Sequence, residues 1–145
     1  MIRIRLPCLL EYRDLAMRMV TSACKLVENR HADHGNGHGP IGIDWGNQVI
    51  SAFGEAFNNV VIHAYGSGGG DLEIEIEPAD DRLTIRLMDY GRAFDMGAVA
   101  PPDLDSLPES GLGIFIIRSC MDDVAYQGGS PNVLSMTKYL VSQSV

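Results

Sequence analysis

The sequence predicts an α+β fold, a two-layer sandwich with helices on one face of a mixed, mostly antiparallel sheet. Three observations carry this expectation. Residues 71–77 and 83–88 alternate apolar with polar side chains across a short turn, the pattern of an antiparallel hairpin with one buried face. Residues 9–29 and 44–65 instead repeat apolar residues every three or four positions, as amphipathic helices do. A third apolar helix at 111–121 precedes two more strand-like segments, 124–126 and 132–140. The order strand, helix, helix, hairpin, helix, hairpin lets the helices gather on one side. At 145 residues the chain supports one domain with a buried core, and no linker or internal repeat divides 1–145.

Taken in order, Ile2-Arg-Ile-Arg-Leu6 alternates and forms the first strand, which Pro7 ends or confines to an edge. In the first helix Leu15, Met19, Ala23, Leu26 and Val27 supply the apolar residues, with Arg13, Arg18 and Lys25 turned outward. Residues 31–39 read as a solvated loop. His31, His34 and His38 are close in sequence, but a glycine-rich tract does not preorganise a metal site. Asp44 is placed to cap the second helix. Along that helix Val49, Ile50, Phe53, Phe57, Val60, Val61 and Ala64 face one way, and Glu55, Asn59 and His63 form an opposite polar stripe at i, i+4 and i+8. Ser51 and Asn58 fall away from that stripe. Gly66-Ser-Gly-Gly-Gly70 is followed by a strand and by no Lys-Ser/Thr pair, so it predicts a helix C-cap and turn, not a phosphate loop. Residues 96–110 hold three prolines and little periodicity, the mark of a long functional loop.

Composition narrows the function classes. A formal charge of −8 argues against a nucleic-acid binder and is compatible with a protein partner offering a basic surface. No apolar run approaches the roughly 18 residues of a membrane span, and the first residues lack a signal-peptide layout. Cys8, Cys24 and Cys120 are odd in number and scattered, which disfavours a disulfide or zinc framework and fits a reducing cytoplasm.

The stripe on the second helix carries unusual chemistry for a solvated face. The helix has no Lys or Arg, and a carboxylate, a neutral amide and an imidazole stand in register. That set suits a magnesium–phosphate site; a capped surface face is the plain alternative. Two further segments join it: Asp89-Tyr-Gly-Arg-Ala-Phe94-Asp95 directly after a strand, and Ser110-Gly111-Leu112-Gly113 opening a helix after a flexible loop.

Together, Glu55-x-x-x-Asn59 and these two segments resemble the asparagine box and the two glycine boxes of the GHKL (Bergerat-fold) ATPases, the superfamily of gyrase and histidine-kinase ATP-binding domains. Within it, residues 55–65, 111–126 and 132–140 look most like bacterial anti-sigma factor serine/threonine kinases, the switch-protein kinases of partner-switching systems. The resemblance covers nearly the whole chain, in order. It implies ATP and Mg²⁺ as cofactors, with Asn59 giving an oxygen ligand to the metal. Asp89 would accept the exocyclic amine of adenine, or else only initiate a turn. Gly91 would let the backbone pass beneath the purine, with Phe94 and Leu112 beside the nucleotide. Gly111 and Gly113, ahead of a helix N-terminus, would favour phosphate. His63 would donate to a phosphate or be buried and satisfied, and Arg118 faces phosphate or a partner.

Glu55 matches the base that takes the proton from the attacking hydroxyl in the kinases and orients water in hydrolysing relatives. The resemblance further implies a STAS-type anti-anti-sigma protein as substrate, a sigma factor or other effector as client, and a homodimer. Arg13 and Arg18 on the first helix are candidate partner contacts. The segment 98–109 is acidic and lacks basic residues for clamping a triphosphate. That favours an alternative, a nucleotide-gated anti-sigma module without useful kinase activity. A detached histidine-kinase domain is disfavoured, since the chain starts at the first strand of the ATPase fold.

Overall fold

A computed structural model describes residues 1–34, 40–66, 69–94 and 109–141. Five strands form one sheet: β1 (Ile2–Pro7), β2 (Asp71–Pro78), β3 (Arg82–Asp89), β4 (Asp123–Gln127) and β5 (Asn132–Tyr139), in the order β1-β2-β3-β5-β4. Every pairing is antiparallel, where the sequence suggested a mixed sheet. Strict alternation fixes the register, because a one-residue slip would turn the apolar set to solvent. Ile74 therefore sits between Ile4 and Leu87, and Ile85 beside Met136.

Three helices cover the inner face: α1 (Arg13–His34), α2 (Trp45–His63) and α3 (Glu109–Cys120). α2 packs against both other helices. Its Val49, Phe53, Phe57 and Val60 are fully buried over Leu72, Ile85, Leu87 and Leu134 in one core cluster. Each such side chain contributes about 1.5–3 kcal/mol through burial. The start of α2 is tied down by Trp45, whose buried indole donates to the Tyr139 carbonyl at 2.9 Å. Asp44 occupies the N-cap position, but its side chain makes no capping hydrogen bond. After α2, Gly66 adopts φ +58, the left-handed turn conformation expected of a helix-ending glycine.

The first helix differs from expectation in two ways. It begins at Arg13, after a 3₁₀ turn at Leu10–Tyr12, and continues to His34. His31 and His34 are thus helical, while His38 lies outside the described residues. Its buried face is Ala16, Val20, Ala23, Cys24 and Val27, whereas Leu15 and Leu26 are 49% and 40% exposed. Small residues let α1 lie close to its neighbours, and the larger leucines are left on the far side. Burial pushes the Cys24 thiol up to about 12 and the Cys8 thiol up to about 11; all three cysteines are free. No described helix is long and apolar enough to cross a membrane.

On the sheet's outer face Glu75, expected in solvent, is buried beneath a 2.6 Å pair with Arg3. At the other end of the sheet, Lys138 turns its ammonium to the Cys120 carbonyl at 2.6 Å, satisfying the C-terminus of α3.

Candidate functional site

The polar face of α2 meets α3 along a groove of about 630 Å³, lined by Glu55, Asn58, Asn59 and Ile62 from α2 and Leu112, Gly113 and Ile116 from α3. Positions 55, 58, 59 and 62 are one face of a helix. Asn58, expected to fall away, belongs to the lining because it sits only about 60° from Glu55 on the helix. Gly113 lets the two helices approach: a Cβ there would come within 2.9 Å of Glu55 Oε2 and 3.7 Å of Asn59 Oδ1. Asn59 is 4% exposed, and its amide nitrogen is buried without a hydrogen-bond partner. Such an orphan costs about 1–3 kcal/mol. A ligand entering the groove can supply the missing partner.

The glycines here are not ahead of the helix, as the sequence suggested. α3 starts at Glu109, so Gly111 is its third residue and Gly113 its fifth. The backbone N–H groups left free by an α-helix are its first four, which includes that of Gly111 but not that of Gly113. Gly111 is buried and does not line the groove; of the loop expected at 96–110, Glu109 and Ser110 belong to α3 and residues 96–108 lie outside the described residues.

The other half of the site lies where β3 and β5 end together. Asp89 is the last residue of β3 and Asn132 the first of β5, paired directly across the sheet. Asp89 is 3% exposed, and its Oδ1 accepts the Gly91 N–H at 2.9 Å and the Asn132 amide at 2.9 Å. The same amide nitrogen donates to the Gly91 carbonyl at 2.8 Å, and Asn132 Oδ1 accepts the Gly129 N–H at 2.9 Å. Gly91 is needed here for a reason that the sequence did not show. A Cβ would stand 2.0 Å from the Ala64 carbonyl oxygen, so the turn packs on the end of α2 backbone to backbone. Arg92 donates its N–H to that same carbonyl.

An aromatic stack closes this end. The Phe94 ring lies 4.5 Å from Tyr126 and 5.3 Å from His63, and the Tyr126 hydroxyl accepts the Phe94 N–H at 3.2 Å. Burial raises the Tyr126 phenol above its ordinary value. Tyr65 binds the turn from the other side, donating to the Asp71 carbonyl at 2.7 Å and accepting the Tyr90 N–H at 2.9 Å.

The sequence-derived residues therefore fall into two groups: Glu55, Asn59, Leu112 and Gly113 in the groove, and His63, Asp89, Gly91 and Phe94 at the strand ends. α2 connects them, since Asn59 and His63 are about 6 Å apart along its axis. Asn58, Tyr65, Tyr126 and Asn132 were not foreseen. Asn132 becomes visible only once β5 is known to pair with β3, 43 residues away in sequence.

Known proteins resemble the chain in sequence and in fold. Residues 11–138 match the model of the histidine kinase-like ATPase domain family. The chain is 39% identical over 102 residues to the serine-protein kinase RsbW of Halalkalibacterium halodurans, covering 65% of this chain and 62% of that protein. It is 35% identical over 102 residues to the serine-protein kinase RsbW of Bacillus cereus, covering 65% of this chain and 64% of that one. It thus spans less than two thirds of the length of these relatives. Among solved structures, the histidine kinase domain of a blue-light activated kinase from Erythrobacter litoralis superposes with a TM-score of 0.52 at 16% identity, over 67% of this chain and 45% of that one. The last likeness concerns the fold alone.

Proposed function

The chain belongs to the histidine kinase-like ATPase domain family, and from that premise we propose that it is a Mg-ATP-dependent serine/threonine protein kinase and anti-sigma factor of a partner-switching system. The observation that carries this reading is the meeting of Glu55, the orphan amide of Asn59 and Gly113 in one groove. An orphan amide and a gap that a Cβ would fill fit the phosphates of a nucleotide whose base lies against Asp89. Leu112 and Phe94 would flank it; His63, stacked on Phe94, would stand at the base end, and Gly111 would offer the groove only a backbone N–H from the start of α3. Among the described residues no group of three or more His, Cys, Asp or Glu could hold a metal ion. By the resemblance to the GHKL ATPases, Asn59 Oδ1 would hold Mg²⁺, with phosphate oxygens and water as its other ligands, the usual habit of that ion. Bound, the metal would neutralise phosphate charge.

The chain's own part is positioning and one proton. Glu55 Oε2 points at the α3 backbone beside Gly113, where an acceptor hydroxyl would meet the terminal phosphate. The hydroxyl oxygen forms a bond to that phosphorus, the bond to the oxygen of ADP breaks, and the hydroxyl proton passes to the Glu55 carboxylate. The acceptor would be a Ser or Thr of a STAS-type anti-anti-sigma protein, and the added charge would break that complex and free the kinase for a sigma factor or other effector.

A cytoplasmic homodimer completes the reading. Leu15, Met19 and Leu26 recur at i, i+4 and i+11 on α1, and Met19 and Leu26 line a groove with Ile2 and Ile4 of the edge strand. A second copy covering this strip would remove both the apolar surface and an open sheet edge. Arg18, exposed and paired only with Asp14, is placed for partner contact; Arg13 is instead wedged against Gly54.

Intact-mass measurement of a STAS partner after incubation with this protein and Mg-ATP tests the proposal. One added phosphate that disappears with Glu55→Ala supports it. ATP binding and a stable complex without any phosphate added would favour the nucleotide-gated binding module, which the acidic segment 98–109 also suits.

A further inference from the structure

Asn132 has no assigned role, yet it is 1% exposed and joins the turn after β3 to the turn before β5 at the base end of the site. Its two amide donations reach Asp89 Oδ1 and the Gly91 carbonyl, and its own oxygen holds Gly129. With Gly91 N–H also on Oδ1, both recorded bonds to Asp89 use the same carboxylate oxygen. Both donors are N–H groups, which cannot turn into acceptors as a hydroxyl could. Oδ1 is thereby fixed as the inward oxygen, and Oδ2 is the one left for a ligand.

We propose that Asn132 is a positioning residue that sets which purines this site accepts, by holding Asp89 so that a single carboxylate oxygen faces the base edge. A 6-amino purine offers that oxygen an N–H. A 6-oxo purine offers a carbonyl, which repels it and leaves a buried acceptor unsatisfied. Sites built around one such hydrogen bond reject the mismatched analogue strongly. Without Asn132, only the Gly91 N–H still holds Oδ1, the carboxylate turns more easily about its Cβ–Cγ bond, and the distinction weakens. This inference rests on the proposed binding of nucleotide beside Asp89.

The test is calorimetric titration of the full chain with Mg-ATP and with the 6-oxo analogue Mg-ITP. The wild type, Asn132→Leu, Asn132→Ser, Asn132→Gln, Asp89→Asn and the double variant Asp89→Asn with Asn132→Leu are compared. The expected result is a preference for ATP in the wild type that falls about tenfold in Asn132→Leu through weaker ATP binding, with ITP affinity little changed. Asn132→Ser, which keeps one donor, should recover part of the preference. In the Asp89→Asn background, adding Asn132→Leu should change the ratio no further. Equal weakening of ATP and ITP in Asn132→Leu would show a structural role only and overturn the inference. Should Asn132→Leu not fold, a wild-type ratio in Asn132→Ser together with an unchanged ratio in Asn132→Gln would overturn it as well. Failure of the wild type to bind either nucleotide would overturn the nucleotide reading itself, a result distinct from both.

Discussion

The two ends of the site are built on opposite plans. At the strand ends, Asp89, Gly91, Asn132 and Gly129 satisfy one another, and Tyr126 and Tyr65 each accept a backbone N–H, so the shape is complete before any ligand arrives. In the groove between α2 and α3, Asn59 buries a donor with no partner, beside an open volume. The first end is rigid because its polar atoms, the outward Asp89 oxygen apart, are spent on the protein. The second keeps its polar atoms for something else. In the proposed nucleotide reading, recognition and chemistry are thereby separated: the preformed end would fix where the base sits, and the ligand would complete the open groove.

That contrast is sharpened most by Glu55→Gln. The substitution keeps the shape of the groove and removes the proton acceptor, so phosphate transfer should fall by about 10³-fold while nucleotide affinity changes only a few-fold. Single-turnover kinetics beside calorimetry read both quantities. A parallel loss of binding would mean that the groove is not a separate chemical end. Gly91→Ala should act in the other way. Its Cβ would meet the Ala64 carbonyl, a backbone atom with no room to yield, and should cost about 3 kcal/mol or more of stability. For a chain of this size that is a drop of roughly 10 °C in Tm. An unchanged Tm would show that the end called rigid can give way.

The same division explains what the sequence could show. Strand alternation at 71–77 and 83–88 reports local periodicity, and the sheet follows it. The stripe of Glu55 and Asn59 is likewise local, since one helix carries both residues. The face of α1 was misjudged in part: Ala23 and Val27 are buried as expected, but Leu15 and Leu26, which outrank Ala16 in hydrophobicity, lie on the exposed side. Helix-on-helix proximity, which favours the alanines, is a tertiary fact. The rigid end was the least legible. Asn132 and Tyr126 act on Asp89 and Phe94 across 43 and 32 residues of chain, through strand pairing that no local pattern encodes. Gly91 was singled out for a clash with the purine, but the obstacle in the structure is the end of α2.

The finest test exchanges an asparagine for leucine at each end and measures the ligand-free protein. Asn132→Leu removes two donated hydrogen bonds and strips the Gly129 N–H of its acceptor, so it should lower stability by about 2–3 kcal/mol in urea titration. Asn59→Leu removes an amide nitrogen that bonds to nothing in the protein together with the oxygen proposed to hold Mg²⁺, and fills similar volume with apolar atoms. Its midpoint should stay level or rise by about 1 kcal/mol, while nucleotide affinity falls at least tenfold. Opposite signs from the same chemical change follow only if one amide serves the fold and the other waits for a ligand. A destabilised Asn59→Leu would reveal a partner for that amide within the protein and remove the asymmetry between the two ends.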